Sequence, residues 1–141
     1  MRHYCYTSLA PDLGDAEFEA IIARAHQRNR ALAIGGIVSF RNGVICQILE
    51  GPAKNLEVLV PVILADPRHC GVATISDARI PAIGFADFGM VRVSPLDVAL
   101  RSIAIIDRIG AGRSKSGPAQ LDLVLSAPPR SVHLLQSAGA A

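Results

Sequence analysis

A chain of 141 residues, half of them hydrophobic, is long enough to bury one sizeable core and too apolar to remain disordered. A net charge of +2 is too small to argue for nucleic acid, and Gly, Asp or Arg breaks every apolar run before the roughly 18 residues of a spanning helix. Three cysteines, Cys5, Cys46 and Cys70, cannot all pair within one chain and lack C-x-x-C spacing, so buried free thiols in a reducing cytoplasm are expected.

Met1-Arg2-His3-Tyr4 enters a strand-like segment directly, so no signal peptide is expected. Residues 3 to 9 mix aromatic and β-branched side chains and run into Pro11-Asp12, the pattern of a strand and turn. Alternation places Tyr4, Tyr6 and Ser8 on one face. From Asp15, an N-cap candidate, Phe18, Ile21, Ile22 and Ala25 recur at helical spacing. Asn29 falls about three turns beyond Phe18 and so returns to that apolar stripe.

Ala33 to Phe40 and Val44 to Leu49 are apolar runs joined through Asn42-Gly43, a strong hairpin signal. On the second run Ile45, Gln47 and Leu49 share a face, which places a carboxamide between apolar neighbours. Pro52 suits the first turn of a helix whose stripe is Leu56, Leu59, Val60, Ile63 and Leu64. Pro61 costs that helix about 3 kcal/mol if unrelieved and predicts a kink, and Asp66-Pro67 ends it. Val72 to Ser76 and Met90 to Val93 are the remaining strands.

The order βαββαββ predicts an α+β fold, a mixed sheet with both helices on one face. The opposite face, with Cys5 and Cys46, is left apolar for the tail to cover, unless the tail forms a dimer surface. Ser94-Pro95-Leu96-Asp97 resembles a capping box and opens a helix ending near Ile109-Gly110. Gly110 to Gly117 reads as a linker, and Pro118 to Ser126 as a second short helix stopped by Pro128-Pro129. The tail's basic excess is expected to be a solvated helix face.

Tyr6, Asn29 and Gln47 are polar groups on buried faces, and an unpaired amide there costs on the order of 1 to 3 kcal/mol. They can satisfy one another, or the backbone, or a flat ligand whose edge alternates carbonyl and N–H groups. His3, His26, His69 and His133 show no metal-ligand spacing, and no nucleophile elbow is present. Gly35-Gly36 lies inside a strand and predicts close backbone approach rather than a phosphate loop.

Tyr6-Thr7-Ser8, Asn29 with Ile34-Gly35-Gly36-Ile37, Gln47-Ile48-Leu49-Glu50-Gly51, Asp66-Pro67-Arg68-His69 and Phe85-Ala86-Asp87-Phe88-Gly89-Met90 resemble, in order and spacing, the successive blocks of the BLUF family. The likeness covers roughly residues 3 to 93. It implies a blue-light receptor with a ferredoxin-like fold, FAD held between the two helices, and C-terminal helices behind the sheet. It implies residues 1–93 as flavin-binding core and 94–141 as a helical extension.

Carried over by position, the resemblance implies Tyr6 as electron and proton donor, Gln47 as the switch amide and Asn29 as a flavin-edge ligand. Met90 becomes the residue that passes the change to the sheet. Ser8, Asp66, Arg68 and His69 complete the expected cofactor-binding set, with Arg68 and His69 toward the ribityl and phosphate side. The chain departs from the family pattern at Phe88, where a tryptophan is frequent, and at Arg28, Ala33, Gly35, Ile45, Cys46 and Ile83.

Residues 94 to 141 are too few for a typical catalytic domain, so the expectation is a sensor and not an enzyme. It would signal through a separate protein partner or through its own oligomer, without direct nucleic-acid or membrane binding. A flavin-free ferredoxin-like interaction module is the alternative. A small-substrate enzyme would need a charged or nucleophilic group in the pocket, and only Arg68 and His69 are offered.

Overall fold

The computed structural model describes residues 1–85 and 87–111. The elements are β1 (Arg2–Leu9), α1 (Asp15–Ala31), β2 (Gly35–Arg41), β3 (Val44–Gly51), α2 (Ala53–Leu64), β4 (Cys70–Arg79), β5 (Val91–Arg92) and α3 (Pro95–Ala111). The sheet order is β4-β1-β3-β2-β5, antiparallel except for the parallel β2–β5 pair. The expected α+β, ferredoxin-like arrangement is therefore present. Gly110 and Ala111, expected to open a linker, still belong to α3; the rest of that Gly110 to Gly117 linker, the second short helix and its Pro128-Pro129 stop lie outside the described residues.

Hydrophobic alternation sorts β1 and β3 between two cores. Tyr4, Tyr6, Ile45 and Leu49 join Phe18, Ile22 and Ala25 of α1 and Leu56, Leu59 and Val60 of α2 in the first. Cys5, Ile37 and Ile48 meet Val98 and Ile105 of α3 in the second. Helix α3 thus covers the face that the sequence left bare. Its start is the expected capping box, with the Ser94 amide donating to Asp97 Oδ2 and the Asp97 amide donating to Ser94 Oγ, both at 3.2 Å. Among the described residues no helix is long and apolar enough to cross a membrane.

Several boundaries differ from expectation for local reasons. The N-cap of α1 is Gly14, not Asp15, whose carboxylate instead accepts from Arg92 at 2.9 Å. Strand β2 starts at Gly35 because Ala33 takes a left-handed φ of 52° as α1 closes: the Ile34 amide donates to Asn29 O at 2.8 Å and the Ala33 amide to Arg30 O at 3.2 Å. That is a Schellman closure with alanine where glycine is the unstrained choice. Pro52 is the N-cap of α2 rather than a first-turn residue, and the helix continues three residues past Pro61.

Strand β4 is longer than the Val72–Ser76 expectation. It is a sheet edge whose side chains are all exposed or half-buried, so hydrophobic alternation could not mark its ends. Cys70, expected to be buried, is exposed at the start of that edge, while Cys5 is buried and Cys46 half-buried. The hairpin keeps its two-residue turn, with φ of 51° at Asn42 and 73° at Gly43. A Cβ on Gly36 would come within 2.8 Å of Ile48 O and 2.9 Å of Met90 Cε, the close approach expected of that strand glycine.

Candidate functional site

A cleft of about 430 Å³ opens between α1 and α2 over the helix-facing side of the sheet. Its apolar walls include Ile21, Ile22 and Ala25 of α1, Val62 and Ile63 of α2, and Val38 and Ile45 from the strands. Such a slot is suited to a flat ring.

Its polar floor comes from two strands and the residue that precedes a third. Tyr6 on β1 and Gln47 on β3 face each other directly in the register, and the Tyr6 hydroxyl donates to Gln47 Oε1 at 2.6 Å. Gln47 Nε2 donates to the sulfur of Met90 at 3.4 Å, just before β5. All three residues are buried. Burial is the main cause pushing the Tyr6 phenol well above its ordinary range, so it is a neutral donor at physiological pH. The two bonds fix the amide's sense. Reversed, Oε1 would face a sulfur with no hydrogen to give.

The expected Ser8, Asp66, Arg68 and His69 gather at one end. His69 Nε2 lies 2.7 Å from Ile63 O and must donate there, which leaves Nδ1 to accept from Ser8 Oγ at 2.8 Å. Ser8 therefore supports His69 from behind and does not itself line the cleft. Arg68 Nε donates to Asp66 Oδ1 at 2.9 Å, and the guanidinium holds the Asp66 carboxyl down to about 2. Asp66, Arg68 and His69 all line the cleft, and the His69 ring stands 6.1 Å from that of Tyr6.

Asn29 sits one turn beyond Ala25 on the buried face of α1. It is fully buried, with Nδ2 reaching Gly89 O at 3.5 Å. Its Oδ1 is buried without a partner, an acceptor left for a donor that the described chain does not supply.

Of two cationic wall residues, the sequence reading noted Arg28 only as a departure from the family pattern and missed Arg24. Arg24 and Arg28 on α1 line the cleft, and among the described residues neither has an acidic partner. Partial burial lowers the Arg28 guanidinium, and both side chains keep access to solvent. Their spacing from Ile21, three and seven residues on, is the signal that could have placed them on the cleft side. Phe88, at the position where the family often has tryptophan, is exposed.

Likeness to known proteins follows the same geometry. Over 74 residues the chain is 30% identical to the blue light- and temperature-regulated antirepressor BluF of Escherichia coli K12, a match covering 52% of this chain and 18% of that protein. Over 64 residues it is 39% identical to the photoactivated adenylate cyclase subunit beta of Euglena longa, covering 45% of this chain and 7% of that one. The chain therefore spans under a fifth of these curated relatives. Among solved structures, the dark state of BlrB, a BLUF protein, superimposes with a TM-score of 0.61 at 29% identity, covering 78% of this chain and 83% of BlrB. Klebsiella pneumoniae BlrP1 with FMN and cyclic diGMP gives 0.62 at 30% identity, covering 73% and 29%. Residues 1–91 match the family described as BLUF, Sensors of blue-light using FAD, and the chain belongs to that family of blue-light receptors.

Proposed function

We propose that this chain holds FAD in the α1–α2 cleft and that Tyr6, Gln47 and Met90 form its light switch. The observation that carries the reading is the oriented Gln47 amide, its oxygen taken by the Tyr6 phenol at 2.6 Å and its nitrogen by the Met90 sulfur at 3.4 Å. The buried Asn29 Oδ1, lacking a donor, and Arg24 and Arg28 at the cleft, without acidic partners among the described residues, fit a ring with N–H groups and a phosphate-bearing tail.

The bound isoalloxazine would supply absorption of blue light and a transient demand for an electron and a proton. Tyr6 is the residue placed to meet that demand, because its hydroxyl proton already points along a short bond to Gln47. Gln47 can exchange the sense of its amide without burying net charge, and doing so releases the Met90 sulfur. Arg24, Arg28 and Arg68 would pair with phosphate oxygens at the mouth, and His69 would border the ribityl chain. Residues 1–93 would then be the sensing core and residues 94–141 the extension through which a separate protein partner, or a second copy, reads the change.

The purified protein is expected to be yellow and to release FAD rather than FMN on denaturation, identified by mass. Blue light should move its absorption to the red, with recovery in darkness. Tyr6→Phe and Gln47→Leu should keep the flavin and lose that displacement. A normal photocycle in either variant refutes the assigned roles, and a colourless protein that takes up no added FAD refutes the cofactor.

A further inference from the structure

We propose that His26, on α1 but outside the cleft walls, is a positioning residue for Met90, gripping its backbone in two exchangeable ways and so fixing where the sulfur sits. His26 Nδ1 lies 3.1 Å from Met90 O and 3.2 Å from Met90 N. A neutral imidazole nitrogen carries either a hydrogen or a lone pair. In one tautomer Nδ1 donates to the carbonyl, and in the other it accepts from the amide.

Three further observations converge on the same peptide. Asn29, one helical turn beyond His26, reaches Gly89 O at 3.5 Å, so both α1 side chains address the Gly89–Met90 link. Gly89 has a φ of 129°, and a Cβ there would stand 2.5 Å from His26 Nδ1 and 2.6 Å from Cε1, so only glycine admits the ring. The sheet itself holds this stretch through few bonds. Strand β5 pairs over two residues, flanked by Gly89 N to Ile34 O at 2.8 Å and Val93 N to Val38 O at 2.9 Å.

The consequence for the switch rests on the function proposed above. When Gln47 lets go of the sulfur, Met90 shifts, and exchange of the His26 ring proton allows one hydrogen bond to be made in either seat. Helix α1 and the start of β5 then move as a linked pair with two settings.

The chain has two methionines, Met1 and Met90, so methyl carbon NMR of the full chain reads the Met90 seat in the dark. His26→Leu should displace the Met90 methyl resonance. His26→Asn, which puts an amide atom where Nδ1 was, should restore it. His26→Gln, with the same amide one bond further out, is expected to behave like the leucine variant and serves where that variant does not fold. In the light, the His26 ring nitrogen resonances should change tautomer signature, and dark recovery in His26→Leu should differ about fivefold from the unaltered protein, the rate equivalent of one neutral hydrogen bond.

A Met90 methyl resonance unmoved in His26→Leu and His26→Gln, or not restored in His26→Asn, overturns the positioning role. A ring tautomer unchanged by illumination in a protein that does respond to light overturns the two-setting linkage. A protein with no light response defeats the photoreceptor reading, and the dark methyl comparison still decides the role of His26.

Discussion

Tyr6 and His3 stand three residues apart on β1 yet face opposite sides of the sheet, and their partners on β3 differ in kind. Tyr6 meets the neutral amide of Gln47, which meets the neutral sulfur of Met90. His3 Nδ1 lies 3.0 Å from the Glu50 carboxylate, whose other oxygen accepts from the Gly84 amide at 2.6 Å. The chain goes on: His3 Nε2 to Ser76 Oγ at 2.8 Å, and Arg101 of α3 donating to Gly84 O at 2.9 Å. Burial alone would raise the Glu50 carboxyl, but the donors from His3 and Gly84 hold it below its ordinary value.

A neutral amide can turn over at the cost of one or two ordinary hydrogen bonds. A buried carboxylate cannot let go of its donors without stranding a charge, which costs several kcal/mol. The cleft side is therefore the face that can be rewritten. The α3 side is a fixed backing that ties two central strands, the segment before β5 and α3 together.

The largest expected effect breaks the backing. Glu50→Ala leaves the buried His3 ring nitrogen without its partner, frees the Gly84 amide and opens a void, and should destabilise the fold by about 3 kcal/mol in denaturant titration. Tyr6→Phe, by contrast, removes one neutral bond and should cost about 1 kcal/mol. Equal losses in the two variants would end the distinction between the faces.

Alkali provides an intermediate effect from the cleft side. The Tyr6 phenol titrates above its unfolded value of about 10, so its contribution is fully present below pH 10 and is lost as the unfolded state alone gives up the proton. Stability should fall there by about 1.4 kcal/mol per pH unit from this group, and Tyr6→Phe should flatten the alkaline limb of an unfolding profile by that amount. An unchanged limb would show the phenol to be less buried than the sheet implies.

Acid probes the opposite face. With the Glu50 carboxyl depressed, its contribution is present above the unfolded value of about 4.3 and fades as pH falls through the folded one, and Glu50→Gln should remove that part of the acid transition. The smallest effect belongs to neither face. Arg2 and Asp77 pair at the exposed edge at 2.7 Å, and Arg2→Ala should cost no more than about 1 kcal/mol, diminishing in high salt.

The cleft face was the more legible of the two. Period-two alternation put Tyr6 and Gln47 on one side, and the helical stripe from Phe18 brought Asn29 inward, because both are local properties of a backbone with a known repeat. The order of elements put α1 and α2 on one face, and only the family resemblance placed a site between them. The backing was not legible, since the His3–Glu50 contact depends on the β1–β3 register, where His3 faces Glu50 across strands far apart in sequence. The Met90 contact of His26 was hidden for the same reason, and an isolated histidine on an amphipathic helix carries no mark of a partner so distant in sequence. Ala33 hid the end of α1, because the expected glycine is missing from the left-handed position.

The two-residue pairing of β5 has a dynamic consequence. Free energies of local opening range from near zero to the full stability of the domain, and a segment with so few ladder bonds belongs at the low end. Amide protons of Val91 and Val93 should exchange with deuterated solvent well before those of β1 or β3. The residue whose sulfur touches Gln47 thus borders the strand most easily peeled from the sheet, and a stimulus worth a few kcal/mol is enough to fray that margin while the rest of the molecule holds its shape.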